Sequence, residues 1–81
     1  MKEMKVKIVW KGCADGHWRK GEDITDLPKL MSAEEIEEIL SGSLEQSAEF
    51  EMEHMPNFEH EYSLGNHPIN FKILSVTKME K

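Results

Sequence analysis

The chain has 81 residues, a formal net charge of -6, 32% charged side chains and a single cysteine. This length leaves room for one domain, 1–81, which buries only about 60% of the surface of its unfolded chain and therefore has a small core. These figures disfavour an enzyme with a deep pocket, and the single cysteine excludes an internal disulfide.

The N-terminal segment, the apolar runs and the charge of the chain predict its compartment and the kind of partner it binds. The N-terminal segment MKEMKVKIVWKG lacks the apolar region and the cleavage site of a signal peptide, which predicts a cytoplasmic protein. No apolar run approaches the roughly 20 residues that a spanning helix needs, so we expect no membrane association. Because an acidic domain repels phosphate, direct nucleic-acid binding is disfavoured except through a local basic strip. Proteins that bind nucleic acid are the more plausible partners.

The first predicted element is a strand followed by a long loop. Residues 4–12, MKVKIVWKG, alternate apolar side chains with lysines, which predicts a half-buried strand with a lysine face. Residues 12–31 contain Gly, Asp and Pro at turn-like intervals without a sustained period, which indicates a loop. Trp18 and Arg19 in this loop are of the types that anchor protein interfaces. The alternative for Trp18 is that it folds back over the small core.

A short helix is predicted after the loop. Ser32 and Glu35 form an S-x-x-E capping box, in which each side chain satisfies a backbone N–H at the start of a helix. Apolar side chains after the box share one helical face, and we expect the helix to end near Ser41. Because a helix this short is not stable alone, it must pack on a sheet.

Two glutamate-rich runs predict a hairpin. Residues 48–54 and 58–64 each alternate apolar or aromatic side chains with polar ones, on either side of MPN at 55–57. This pattern predicts two antiparallel strands joined by a three-residue turn. The register places glutamates of the two strands directly opposite each other, and like charges in such positions destabilise a strand pair.

The last predicted strand completes the fold. The segment GNHP at 65–68 predicts a turn, and residues 69–79 carry apolar side chains on both faces, which is typical of a central strand. The sequence therefore predicts an α+β fold with a β-α-β-β-β succession. Its four-stranded antiparallel sheet has the order 2-3-4-1, with one short helix packed on one face and a long loop after strand 1. Val9, Leu74 and Val76 then form a small apolar patch on the other face.

The glutamates of the predicted hairpin have two interpretations. They either solvate one face of the sheet, or they form a carboxylate row that repeats every ~6–7 Å and imitates the phosphates of a nucleic-acid strand. The opposed like charges favour the second, so we expect the row to enter a basic groove on a partner protein. The candidate partner-binding residues are Glu49, Glu51, Glu53, Glu59, Glu61, Trp18 and Arg19.

The histidines and the cysteine suggest two weaker hypotheses. His54 and His60 lie diagonally on one face of the predicted hairpin, with Glu53 or His67 as a third metal ligand, but the compact Cys/His spacing of zinc sites is absent. Cys13 and His17 are a conceivable nucleophile and base, yet no orienting group or oxyanion hole is recognisable. We expect no metal, no other cofactor and no catalysis.

Three functions follow, in decreasing order of support. The first is a small acidic protein that binds and inhibits or modulates a nucleic-acid-handling enzyme. The chain is short, acidic and rich in methionine, which are features shared by many phage and mobile-element proteins that bind a host protein. The second is a structural or accessory subunit, or a homodimer, that packs through the apolar patch. The third is a metal-dependent enzyme. Salt separates the first two, because charge pairing weakens as ionic strength rises.

Overall fold

The computed structural model describes residues 3–14, 16–61 and 70–79. The predicted turn at 65–68, which contains His67, lies outside these residues, as does the end of the predicted hairpin. Two long strands come first, three helices follow, and a strand comes last. These elements are β1 (Met4–Ala14), β2 (His17–Leu27), α1 (Ala33–Leu40), α2 (Leu44–His54), α3 (Pro56–Glu61) and β3 (Asn70–Lys78).

The described strands form one antiparallel sheet with the order β2-β1-β3. The α+β class is confirmed, but the four-stranded sheet of order 2-3-4-1 is wrong. The predicted pairing of the first strand with the last is confirmed, since β1 pairs with β3 antiparallel. The elements of the wrong type therefore lie between these two strands.

Residues 17–27 form a strand and not part of a loop. β2 turns back on β1 through Gly16, whose φ of +78° is a conformation that glycine adopts without steric cost. The pairing continues to Met4 and Leu27. Along β2 the only buried side chains are those of Asp23 and Leu27. The apolar alternation that predicts a strand is therefore missing from this one.

The glutamate-rich segment is helical, so the predicted strands at 48–54 and 58–64 are wrong. Ser43 caps α2, and its side-chain oxygen accepts from the backbone N–H of Gln46 at 3.2 Å. Pro56 takes the first position of α3, where its missing N–H has no cost. Both helix starts therefore carry ordinary helix signals, although the alternating pattern between them is that of a strand.

The buried residues of α2 and α3 explain why the helical period is hidden. Ser47, Glu51, Met55 and Phe58 are at most 1% exposed, and they follow one another in steps of four or three residues. This is helical spacing. Two of the four residues are polar, however, so the apolar residues alone do not show the period.

β3 is an edge strand of the described sheet and not a central one. A bulge at Val9 and Trp10 shifts its register, with Leu74 as the extra residue. Beyond the bulge Val76 pairs with Ile8 and packs against the core on the helix-covered face. The predicted patch of Val9, Leu74 and Val76 is therefore not formed, because Val9 lies on the opposite face of the sheet.

The three helices cover one face of the sheet and enclose a small core. Trp10 meets Phe58 edge to face, with ring centroids 5.0 Å apart. The Trp10 ring also approaches the backbone of Gly21, where an added Cβ atom would lie 2.5 Å from it, so this position requires glycine. The buried apolar residues of the core are Val6, Ile8, Trp10, Leu27, Ile36, Leu40, Met55, Phe58 and Ile73.

The predicted capping box of α1 is confirmed. Oγ of Ser32 accepts from the backbone N–H of Glu35 at 3.1 Å, and Oε1 of Glu35 accepts from the backbone N–H of Ser32 at 2.9 Å. The helix ends where the sequence predicts, with Ser41 as its C-cap.

Replacing Ser32 by alanine is expected to lower the free energy of unfolding by about 1 kcal/mol, because the N–H of Glu35 loses its acceptor. Urea unfolding followed by circular dichroism measures the change. Ser75→Ala, at an exposed position of β3, is the control and is expected to stay within about 0.5 kcal/mol of the parent. Equal stabilities of Ser32→Ala and the parent contradict the stabilising role of the box.

Candidate functional site

Charge is divided between the two layers of the fold. Residues 32–61, which contain α1, α2 and α3, carry ten glutamates and no lysine or arginine. The other described residues carry eight lysine or arginine side chains against four carboxylates. We call 32–61 the acidic helical layer. The open face is the side of the sheet that none of the described helices covers, and Lys5, Lys7 and Lys11 of β1 lie on it.

The glutamates of the predicted row lie on two helices and in different surroundings. Glu49 and Glu53 are exposed on α2, whereas Glu51 is 1% exposed. On α3, Glu59 is half-buried and Glu61 forms an ion pair with a side chain of β2. The opposed glutamate pairs of the predicted hairpin are therefore wrong. Partner binding by the exposed members stays a prediction.

A different row of carboxylates follows the outer side of α2. Glu45, Glu49 and Glu53 are exposed and four residues apart, so they succeed one another at steps of about 6 Å along the helix. Met52 lies beside them and is 64% exposed. Methionine is enriched in protein interfaces. We call Glu45, Glu49, Met52 and Glu53 the α2 patch, which combines negative charge with an apolar anchor.

Glu51 belongs to the interior of the protein. Burial raises its pKa to about 7 from an ordinary value of 4.5, and the negative charge of Glu59 adds a smaller contribution in the same direction. Glu51 is therefore a group that titrates near neutral pH within the fold and not part of a surface row.

His54, near the end of the same helix, contacts the sheet. Its Nδ1 lies 3.4 Å from Oγ1 of Thr25 on β2.

A buried carboxylate, Asp23, joins the sheet to α3. Its Oδ2 accepts from the indole N–H of Trp10 at 2.9 Å and from the backbone N–H of Phe58 at 3.2 Å. Its Oδ1 accepts from the backbone N–H of Asn57 at 2.7 Å. Because both backbone donors lie in the first turn of α3, Asp23 caps this helix from another element. No local sequence pattern indicates a cap at such a distance along the chain, so the role of Asp23 cannot be predicted from the sequence.

Trp18 lies on the open face and does not fold over the core. It is 56% exposed and pairs with Cys13 across the hairpin. Nζ of Lys11 lies 4.9 Å from the centroid of its ring, which is a cation–π contact. Arg19 alternates to the other side of the sheet and donates to Glu61 at 2.6 Å. The two predicted anchors are therefore divided between the two sides of the molecule.

A groove of about 460 Å³ runs between β2 and α3. Lysine, arginine and glutamate side chains contribute both signs of charge to it, so the groove favours neither anions nor cations. The ion pair between Arg19 and Glu61 lies in its lining. The lining residues are Trp10, Arg19, Lys20, Gly21, Glu22, Asn57, His60 and Glu61.

The structure separates the histidines and the cysteine. Cys13 and His17 are offset by one position in the hairpin register, which places their side chains on opposite faces. His54 and His60 lie on α2 and α3, so their predicted place on one strand face is wrong. In the part of the chain that the structure describes, no three His, Cys, Asp or Glu side chains are grouped so that they could hold a metal ion.

Comparison of the chain with protein-family models, curated proteins and solved structures found no match. We therefore infer its function from the charges, contacts and exposure of its own residues. None of the helices within the described ranges is both long and apolar enough to cross a bilayer.

Proposed function

We propose that the protein is a protein-binding module that docks its acidic helical layer on a positively charged surface of a partner. Enzymes that handle nucleic acid present such surfaces, so the proposed role is inhibition or modulation of one of them. This is the kind of role that phage and mobile-element proteins have toward a host protein. The proposal is binding without catalysis, and its compartment is the cytoplasm, where a lone thiol stays reduced.

The observation that carries this proposal is the single sign of charge in the helical layer. Ten glutamates occupy residues 32–61 without one lysine or arginine. A surface that serves only solubility usually mixes both signs, because a field of one sign destabilises the free protein by self-repulsion. A cationic partner surface offsets this repulsion on binding.

Charge alone does not give a long-lived complex. An exposed ion pair contributes only about 0–1 kcal/mol, and salt at about 0.1 M screens exposed charges over about 10 Å. The carboxylates therefore act mainly on the rate of association. Met52, which is 64% exposed, supplies an apolar contact that loses its water on binding and slows dissociation.

A triple change in the α2 patch is expected to weaken partner binding at least about ten-fold. The changes are Glu49→Gln, Glu53→Gln and Met52→Ala, which remove two charges and the apolar anchor. Affinity capture from the native host with mass spectrometry identifies the partner, and surface plasmon resonance at several salt concentrations then measures both rates. Glu22→Gln with Asp26→Asn removes the same charge from the sheet and is the control.

The two rates separate the roles of charge and anchor. The glutamine changes alone are expected to slow association and reduce its dependence on salt, while Met52→Ala alone is expected to speed dissociation. A triple variant that binds the purified partner as tightly as the parent contradicts docking through the α2 patch. Equal weakening by the Glu22 and Asp26 control shows a dependence on net charge only and also contradicts it.

A further inference from the structure

Three lysines lie directly opposite one another across the open face. Lys11 on β1 pairs with Lys20 on β2 and with Lys72 on β3, so three lysines lie side by side on one face of strands about 4.8 Å apart. We call these residues the lysine row. Like charges in opposed positions destabilise a sheet. Among the described residues, no carboxylate lies within ion-pair distance of any of the three. A bound anion would therefore relieve a repulsion that the free protein retains.

An exposed aromatic ring lies beside the lysine row. Trp18 is two residues from Lys20 on the same face of β2, and it is 56% exposed. Nζ of Lys11 lies 4.9 Å from its ring centroid. The ring adds nothing to the core, which lies on the other side of the sheet. An exposed aromatic ring among cations is the arrangement on which a base of a single strand stacks while its phosphates contact ammonium groups.

We propose that the open face binds single-stranded nucleic acid, with phosphates on the lysine row and a base stacked on Trp18. Lysine acts on phosphate as a point charge and tolerates several contact geometries. A single strand fits the ring because its unpaired bases expose their faces, which a duplex hides. An acidic peptide would satisfy the lysines but has no base to stack on Trp18.

This site is independent of the proposed function, because it lies on the other side of the sheet from the acidic helical layer. Along β1, alternation places Lys11 on the open face and Trp10 in the core. The net charge of -6 opposes any polyanion, so the affinity is expected to be weak and salt-dependent, with a dissociation constant of about 10⁻⁴ to 10⁻⁶ M. A partner on the helical layer leaves the open face accessible, so both surfaces can be occupied together.

The test measures binding of a fluorescein-labelled oligothymidylate by fluorescence anisotropy over a series of salt concentrations. Lys20→Gln with Lys72→Gln shortens the lysine row, and Lys29→Gln with Lys78→Gln removes the same charge outside it. The row variant is expected to bind at least about ten-fold more weakly. Its slope of log affinity against log salt is expected to fall by about 1.4, which is 0.7 for each lost phosphate contact. The control pair is expected to keep the slope of the parent.

A second variant tests the stacking contact. Trp18→Leu is expected to weaken binding about five-fold or more without changing the salt slope, because a stacked base carries no charge. In the parent, the oligonucleotide is expected to quench the fluorescence of Trp18, while buried Trp10 gives a constant background. Loss of this quenching in Trp18→Leu locates the base on the open face.

Several results would overturn the proposal. They are absence of binding by the parent at low salt, equal weakening by the control pair, unchanged binding by Trp18→Leu, and displacement of the oligonucleotide by polyglutamate at equal charge concentration. The last result would assign the face to acidic peptides. Thermal unfolding checks folding, and the row variant is expected to unfold at the same temperature as the parent or higher. The substitutions that test the α2 patch involve none of these residues. Nucleic-acid binding by the open face and partner binding by the α2 patch can therefore be refuted independently of each other.

Discussion

Asparagine in place of Asp23 is expected to destabilise the fold by about 3 kcal/mol. The carboxylate accepts hydrogen bonds from the indole of Trp10 and from the backbone of Asn57 and Phe58. An amide of the same shape has one acceptor oxygen and turns an NH₂ group toward at least one of these donors. The change leaves a buried N–H without an acceptor and removes the negative charge at the start of α3. Urea unfolding followed by circular dichroism measures the loss.

Asp26→Asn is the matched control, because Asp26 lies on the same strand but is exposed. It is expected to change the free energy of unfolding by less than about 0.5 kcal/mol. Since Trp10 donates to Asp23, the near-ultraviolet circular dichroism of the folded protein is also expected to change in Asp23→Asn alone. A variant of Asp23 as stable as the parent would mean that the contact between β2 and α3 does not depend on this carboxylate.

Local signals predicted the elements that local interactions determine. The capping box of Ser32 and Glu35 and the alternation along β1 are confirmed, because each depends on residues close together in the chain. β2 carries no such signal, because it is an edge strand of the described sheet and buries only two side chains. β2 is a strand because it pairs with β1, and its own residues show no strand pattern.

The prediction of a hairpin in the glutamate-rich segment is wrong for a different reason. Ser47 and Glu51 occupy core positions that a hydrophobic pattern assigns to apolar residues, and without them the apolar spacing fits a strand better than a helix. Asp23 is a second buried polar residue that a hydrophobic pattern does not predict. Its carboxylate lies on β2 and accepts hydrogen bonds from the first turn of α3. Buried polar groups are satisfied by partners distant in the chain, and no local period contains that information.

The positions of the opposed like charges also could not be predicted from the sequence. The sequence predicts opposed like charges between glutamates of a hairpin, whereas in the fold they occur between Lys11, Lys20 and Lys72. The lysine face of β1 is visible in the sequence. Its alignment with one lysine from each neighbouring strand depends on the hairpin register and on the bulge in the pairing with β3. The candidate binding surfaces are therefore a helix patch and a sheet face, in place of one glutamate row.

Glu51 is expected to make the protein less stable at neutral than at mildly acidic pH. Burial and, to a smaller extent, the charge of Glu59 raise its pKa to about 7 from an ordinary value of 4.5. Between these values the folded protein holds a proton that the unfolded chain has released, so the free energy of unfolding falls as pH rises. The contribution of the protonated group is complete below about pH 4.5 and lost above about pH 7, a difference of about 3 kcal/mol.

Glutamine at position 51 removes this titration and preserves the shape of the side chain. At about pH 8, Glu51→Gln is expected to exceed the parent in stability by about 3 kcal/mol, whereas at about pH 4.5 the two are expected to agree closely. Glu49→Gln, on the exposed side of α2, is expected to keep the pH dependence of the parent. Glu59→Gln is expected to keep most of it, because it removes only the smaller cause of the raised pKa.

Urea unfolding of these four proteins from about pH 4.5 to about pH 8 decides the matter. If Glu51→Gln loses stability with pH as steeply as the parent, the proton is taken up elsewhere and Glu51 is not the titrating group. If its stability is flat, the glutamate-rich segment contains two kinds of carboxylate. Glu49 and Glu53 face water, where a partner can reach them, while Glu51 is a buried acid that destabilises the fold once it ionises.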